Sequence, residues 1–149
     1  MKIILLFAWL LLPGILLAQE AAEPFKDSNL IVVESELPPA TALKQVALLL
    51  QEKGYFIQKY DPELQSLIAD KTSTERDGIL YRIQILAQES SGTRLHFFGD
   101  FRSGSENGDY FGVAQFDKGI LKKSGGYIFD EIIKLAKAVP GKRLWYSKL

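Results

Sequence analysis

The clearest pattern along this chain is an alternation of apolar and other side chains between Ile79 and Phe101. The alternation is interrupted once, at Ser90-Ser91-Gly92, and then resumes. Two alternating runs joined by a short loop that contains glycine predict a β-hairpin. One face of this hairpin is mostly apolar and the other is mixed, which predicts a sheet that is covered on one side only.

Two other segments have apolar residues at helical spacing. The first starts at Pro38-Pro39 and stops at Gly54, and the second starts at Ser124 and stops at Pro140-Gly141. Proline is well tolerated in a first helical turn, and glycine is favoured where a helix ends in a left-handed conformation. The apolar stripes comprise Leu43, Val46, Ala47 and Leu50 in the first helix and Ile128, Ile132, Leu135, Ala136 and Val139 in the second.

Shorter apolar runs predict the remaining strands. They lie at 30–33, 56–60 and 67–71, with a short extra strand at 113–116, whereas the Gly- and Ser-rich segment 103–112 predicts a mobile loop. The resulting order, β-α-β-β-β-β-α, predicts a two-layer α+β domain. We expect an antiparallel sheet of four to five strands with both helices packed on one face.

The N-terminal segment 1–18 has the layout of a secretory signal peptide. Lys2 provides a positive start, Ile3–Leu12 is an unbroken apolar run, and Ala18 is a small residue at the exit. A membrane anchor is the competing interpretation, but a spanning helix needs about 20 apolar residues and Pro13-Gly14 interrupts this run. We therefore expect cleavage after Ala18 and a mature domain in the periplasm or outside the cell.

The composition of the remaining chain narrows the function classes. Residues 19–29 predict a flexible lead-in, and residues 30–149 predict one domain with a basic, aromatic C-terminal tail. The chain has no cysteine, which excludes disulfides, thiolate metal sites and lipid attachment on cysteine. Basic and acidic residues balance at 18 each, which argues against a nucleic-acid partner. Basic residues concentrate in 117–149. This segment could face an anionic surface, or its charges could be offset by acidic residues elsewhere in the fold.

Candidate catalytic chemistry is sparse. His96 is the single histidine, which excludes a site with several histidine ligands. Asp100 lies about 13 Å along the same predicted strand, too far to orient the imidazole directly. The segment 103–109 gathers oxygen-bearing side chains but lacks the spacing of a calcium loop or a P-loop. We expect His96 to be structural, and we predict no enzymatic activity, no cofactor and no metal.

Three features of the sequence match a known type of envelope domain. They are the Leu-rich first helix ending in Lys53-Gly54-Tyr55-Phe56, the Asp61-Pro62 turn and the long hairpin from Ile79 to Phe101. In these the chain resembles the helix-grip or TBP-like α+β domains of bacterial envelope proteins, such as the repeated domain of the BamC lipoprotein, over residues 30–139. The chain departs from that lipoprotein in having one such domain and no cysteine for lipid. The resemblance implies a fold and no functional residues.

The mixed face of the hairpin and the C-terminal tail are the candidate partner-binding surfaces. Apolar and basic residues exposed together on a sheet can mark an interaction site. The favoured hypothesis is an exported, non-enzymatic domain that binds a protein or another component of the bacterial envelope. Contact of this domain with a membrane is compatible with the sequence, but we expect no membrane-spanning segment after cleavage. The candidate residues are Leu80, Arg82, Leu86, Arg94, His96, Phe98, Arg143, Trp145 and Tyr146.

Two other functions are kept as alternatives. The first is a carrier of a small apolar ligand in a pocket between sheet and helix, lined by Leu43, Ala47, Ile83, Phe97 and Ile132. The second is a hydrolase that uses a carboxylate or His96 on an unknown substrate. In addition, Leu144, Trp145 and Tyr146 of the tail could pack over the uncovered face of the sheet and close it.

Overall fold

The computed structural model describes residues 20–73, 79–105, 108–117 and 124–149. The signal peptide predicted at residues 1–18 lies outside this part of the chain. The elements in chain order are β1 (Leu30–Ser35), α1 (Pro39–Glu52), β2 (Phe56–Asp61), β3 (Ser66–Thr72), β4 (Ile79–Glu89), β5 (Thr93–Ser105), β6 (Gly108–Val113), α2 (Ser124–Ala138) and β7 (Arg143–Ser147). The predicted α+β class and the predicted hairpin β4–β5 are confirmed.

The strands form one antiparallel sheet in the order β2-β3-β4-β5-β1-β7. Strand β5 is long enough to serve two partners along the same edge. Its first part, 93–97, pairs with β1, and its second part, 100–105, pairs with β6. The first strand of the domain therefore lies between β5 and the last strand, β7.

The prediction of four to five strands is too low, because the described residues hold a seven-stranded sheet. All of strand β6 except Val113 falls within the segment 103–112 that we predict as a mobile loop. The Gly- and Ser-rich sequence of this segment has low strand propensity. Its backbone nevertheless pairs with residues 100–105 of β5, and such pairing overrides the local propensity. The predicted strand at 113–116 overlaps β6 only at Val113.

The predicted C-terminal tail is a strand and not a tail. Residues Arg143–Ser147 pair with β1, with Trp145 opposite Val32 and Tyr146 opposite Ile31. Side chains alternate along a strand, so Trp145 and Tyr146 point to opposite faces of the sheet. The residues that we considered as a cover for the open side of the sheet are therefore part of the sheet itself.

Helices α1 and α2 pack on the same face of the sheet. Their buried side chains join one continuous core with the inward positions of the strands. Close approach is visible at Gly99, where an added Cβ would lie 2.7 Å from Ile132 Cδ1 of α2. The fully buried large side chains of this core include Ile31, Leu43, Leu50, Leu67, Ile83, Ile85, Leu95, Phe97, Phe129 and Ile132.

Helix α1 has the predicted ends. Pro39 begins it, and Gly54 follows it with a φ of +79°, the left-handed conformation that glycine adopts without strain. The amide of Gly54 donates to the Gln51 carbonyl, and the amide of Tyr55 donates to the Leu50 carbonyl at 2.9 Å. These bonds satisfy carbonyl groups at the helix end and direct the chain into β2.

The segment before β1 contacts the sheet at several points. Ala21 and Tyr146 exchange two backbone hydrogen bonds, at 3.0 and 2.8 Å. The Ser28 carbonyl accepts from the Phe116 amide, and Phe25 packs against the core. Part of the predicted flexible lead-in at 19–29 thus extends the sheet beyond β7.

Candidate functional site

The face of the sheet that carries no helix is the candidate site, and we call it the open face. Pairing places Leu86, His96, Val32 and Trp145 side by side on β4, β5, β1 and β7. Paired residues of adjacent strands point to the same face, so these side chains form one row. The row is largely apolar, and the side chain of Leu86 is exposed in it.

All but one of the residues predicted to bind a partner lie on the open face. Leu80, Arg82 and Leu86 come from β4, Arg94, His96 and Phe98 from β5, and Arg143 and Trp145 from β7. Tyr146 is the exception, because it is 2% exposed and points into the core. Its ring lies 6.5 Å from that of Phe129 of α2. Tyr146 is therefore a core residue that no partner can reach in this fold.

Two polar pairs on the open face are satisfied within the chain. Arg82 donates to both carboxylate oxygens of the buried Asp70, at 2.9 and 3.2 Å. This hydrogen-bonded pairing raises the pKa of Arg82 further above its ordinary value. Gln84 donates to the Asp100 carboxylate at 3.2 Å. These four side chains already have partners, so they have less to offer a ligand.

His96 is in a largely apolar position on the open face. Its Nε2 atom is buried and has no hydrogen-bond partner in the described part of the chain. Burial, with a smaller contribution from the Arg94 charge, lowers the pKa of His96 below its ordinary value. The imidazole is therefore neutral at pH 7. Asp100, the carboxylate considered at the sequence level, is bonded to Gln84 instead.

An arginine–tryptophan–arginine cluster, formed by Arg94, Trp145 and Arg143, lies at one edge of the open face. The guanidinium carbons of Arg94 and Arg143 lie 5.6 and 5.8 Å from the indole ring centroid. Both distances are in the range of cation–π attraction. Among the described residues, neither arginine forms an ion pair within 4.0 Å. The indole Nε1 is buried without a hydrogen-bond partner in the same part of the chain.

A cavity of about 270 Å³ opens beside this cluster. Its charged lining is balanced, because Glu34 and Glu20 face it together with Arg94 and Arg143. Glu34 lies on β1 directly between the two arginines and is the pairing partner of both. The remaining lining residues are Ala21, Ala22, Leu144 and Trp145.

The sequence analysis named Arg94, Arg143 and Trp145 as candidates, but it did not predict that their side chains lie together. Arg94 and Trp145 belong to elements far apart in the chain, and only β1 between them brings them together. It also missed Glu20 and Glu34, which carry no local motif. The basic and aromatic composition of Arg143-Leu144-Trp145-Tyr146 indicated that this segment could bind a partner. Only its assignment as strand β7 shows that Trp145 faces the open side and Tyr146 the core.

Two further cavities lie on the helix side of the sheet. One, of about 280 Å³, is beside Tyr55 and Lys71, whose ammonium is 4.9 Å from the Tyr55 ring centroid. Burial raises the pKa of Tyr55, which keeps the phenol protonated. The other, of about 300 Å³, lies between Leu48 of α1 and Val139 after α2.

The residues proposed to line an apolar pocket fill the core instead. Leu43, Ile83, Phe97 and Ile132 are fully buried and belong to one packed cluster, and Ala47 packs against it. Dense packing of this kind leaves their side chains in contact with each other. The geometry of these residues therefore gives no support to the carrier hypothesis.

Neither a metal site, nor a membrane-spanning helix, nor a known protein family gives an indication of function for the described chain. Within residues 20–73, 79–105, 108–117 and 124–149, no three His, Asp or Glu side chains are grouped to hold a metal ion. In that same part of the chain, no helix has the length and apolar character needed to cross a membrane. No family model matches the sequence, and no curated protein is similar to it.

Proposed function

We propose that this chain is an exported, non-enzymatic binding domain of the bacterial envelope, and that it holds its partner on the open face. The observation that carries this proposal is the arginine–tryptophan–arginine cluster. Two guanidinium groups stack on one indole ring without an ion-pair partner in the described chain, next to the apolar row of Leu86 and His96. Export is inferred from the layout of residues 1–18.

The chemistry of the open face favours binding of a partner. Arginine and tryptophan are over-represented among residues that dominate interface energies. Stacking on Trp145 also restricts the two long arginine side chains before any partner arrives, so less conformational entropy is lost on binding. The adjacent Leu86 and Phe98 add apolar area that a partner would remove from water.

The same face gives little support to a catalytic role. General acid–base catalysis needs a titratable group within hydrogen-bond reach of a partner that orients it. His96 Nε2 has no hydrogen-bond partner among the described residues, and the Asp100 carboxylate is bonded to Gln84. We therefore infer a binding role for His96, as part of the apolar row.

Site-specific crosslinking in the native envelope tests the proposal. A photoreactive benzoylphenylalanine in place of Leu86 would sit on the open face, and one in place of Lys44 would sit on the exposed side of α1 as the matched control. We expect a discrete crosslinked product from position 86 and none from position 44. The paired substitution of Arg94 and Arg143 by alanine should reduce that product about tenfold, the loss of about 1.4 kcal/mol of binding free energy.

Two results would contradict the proposed function. Equal crosslinking from positions 86 and 44 would mean that the open face is no more engaged than the helix layer. A discrete product that is unchanged when Arg94 and Arg143 are both alanine would remove the cluster from the binding site.

A further inference from the structure

We propose that the cavity beside Trp145 is a subsite for a small zwitterionic group, an anionic oxygen function carried next to an ammonium. This inference rests on the proposed binding function and names the chemistry that its site recognises. It is carried by the cavity of about 270 Å³ and by the two arginines and two glutamates that line it.

The arginines supply the anion-binding half of this subsite. A guanidinium that stacks through its flat face keeps its N–H groups free at the edges, where they can bond a carboxylate or phosphate in bidentate fashion. The guanidinium carbons of Arg94 and Arg143 both lie over the Trp145 ring, at 5.6 and 5.8 Å from its centroid. Neither is neutralised by an ion pair within the described residues, so their donors are available.

The glutamates supply the other half. Glu34 lies between the two arginines on the sheet, and Glu20 reaches the cavity from the segment that bridges to β7. With two positive and two negative side chains, the lining repels a polyanion about as much as it attracts one. A ligand with one anionic group and one ammonium complements both pairs of charges.

The size of the cavity limits the ligand to a small group. Sites for drug-sized molecules occupy roughly 300–1,000 Å³, and this cavity is below that range. A dipeptide or a phosphoethanolamine head group has the required charges and comparable dimensions. Because the charged side chains are exposed to solvent, binding of an isolated probe is expected in the millimolar range.

Tryptophan fluorescence offers a direct measurement. The chain contains two tryptophans, Trp9 and Trp145. In full-length protein carrying Trp9→Phe, Trp145 is the single indole whether or not the N-terminal segment is removed. We would titrate this protein with glycylglycine and with glycerophosphoethanolamine. Acetate and ethylammonium serve as probes with one charge only.

We expect a saturable change in Trp145 emission with a zwitterion, at concentrations about tenfold lower than for acetate or ethylammonium. Saturation by glycylglycine alone identifies a peptide-like ligand, and saturation by glycerophosphoethanolamine alone identifies a phospholipid head group. Either outcome supports the subsite. No saturable change with either zwitterion, or equal half-saturation by acetate, would overturn it.

Substitutions locate the response. Arg94→Gln and Arg143→Gln should each weaken zwitterion binding about tenfold, and Glu34→Gln should remove the preference for glycylglycine over acetate. Arg102→Gln is the matched control, because Arg102 also stacks on an aromatic ring, that of Phe111 at 5.4 Å, but does not line the cavity. Binding that is unaffected by Arg94→Gln and Arg143→Gln would overturn the assignment even if Trp145 responds.

The two proposals fail separately. If crosslinking at position 86 still depends on the arginine pair while no zwitterion binds, the binding face stands and only the ligand chemistry is wrong. If crosslinking shows no preference for the open face but the probes saturate, the cavity is a ligand site and the partner-binding proposal is wrong.

Discussion

Single residues on the open face differ in what they can do because of their neighbours in the sheet. Arg82 is held by Asp70 and has its charge balanced inside the chain, whereas Arg94 stacks on Trp145 without an ion pair among the described residues. The residue type is the same, and the neighbour supplied by the adjacent strand separates an arginine held in an ion pair from one that we propose for binding. His96 shows the same dependence, because burial decides its charge.

The stability of the protein should depend on pH through His96. Its pKa in the folded state is lowered from 6.5, so the unfolded chain binds a proton before the folded chain does. The stabilisation is fully present above pH 6.5 and is lost as pH falls from 6.5 toward the lowered pKa. Urea unfolding at pH 7.5 and at successively lower pH should show this decline.

His96→Gln is the control for this pH dependence. Because His96 is the single histidine of the chain, the substitution should flatten the stability profile just below pH 6.5. Carboxylates titrate at lower pH and should give the same slope there in both proteins. An unchanged profile in His96→Gln would show that the imidazole is not shielded in the folded state.

At the scale of secondary-structure elements, the two faces of β7 have different surroundings. Tyr146 and Leu144 pack toward the core, and Trp145 and Arg143 belong to the open face. Removing the whole strand would therefore remove both the core residue Tyr146 and two members of the arginine–tryptophan–arginine cluster. Substitution of single residues separates these contributions.

Tyr146→Ala should destabilise the fold by about 3–5 kcal/mol, as is typical for truncating a buried aromatic side chain to alanine. The side chain is 2% exposed and its ring lies against Phe129. Arg143→Ala, which removes an exposed side chain of the same strand and its contact with the Trp145 ring, should destabilise the protein by only about 0.5–1 kcal/mol. Urea unfolding of both variants measures the difference. Equal stability of the two variants would mean that β7 is not docked in the sheet.

The elements that periodicity reveals were predictable, and those defined by distant pairing were not. The hairpin β4–β5 and helix α1 show their burial in the spacing of apolar residues, and both are confirmed. Strands β6 and β7 have glycine-rich and basic sequences that resemble loops. They become strands because β5 and β1 offer unpaired backbone groups beside them. The cavity beside Glu34 and Trp145 could not be predicted for the same reason, because its lining residues come from elements far apart in the sequence.

At the scale of the whole molecule, the two helices cover one face of the sheet, and the open face carries no helix. The core joins residues from β1 to β7, so the described chain behaves as one cooperative unit. Arg94 and Arg143, which form no ion pair among the described residues, lie on the side opposite this core. If the open face binds a partner, as proposed, stability and binding depend on different faces of the same strands. Substitutions on the open face should then alter binding without disturbing the core.

Processing of the N-terminal segment is a further expected property of the whole molecule. If residues 1–18 act as a signal peptide, the protein recovered from the envelope should begin at Gln19, close to the cavity-lining Glu20. Intact-mass measurement and N-terminal sequencing would detect this. Replacing Ala18 with a bulky residue should block processing and leave the longer form attached to the membrane. Recovery of the uncleaved chain from the soluble cell interior would contradict export.

The position of β1 between β5 and β7 has a consequence for biogenesis. Strand β1, the first in the described residues, borders β7, the last of them, and Ala21 before β1 bonds to Tyr146 of β7. A nascent chain that does not yet include residues 143–147 cannot complete the sheet, because β7 pairs along β1. Pairing between elements so far apart in the sequence forms slowly, so we expect the complete fold to form only after β7 has been synthesised.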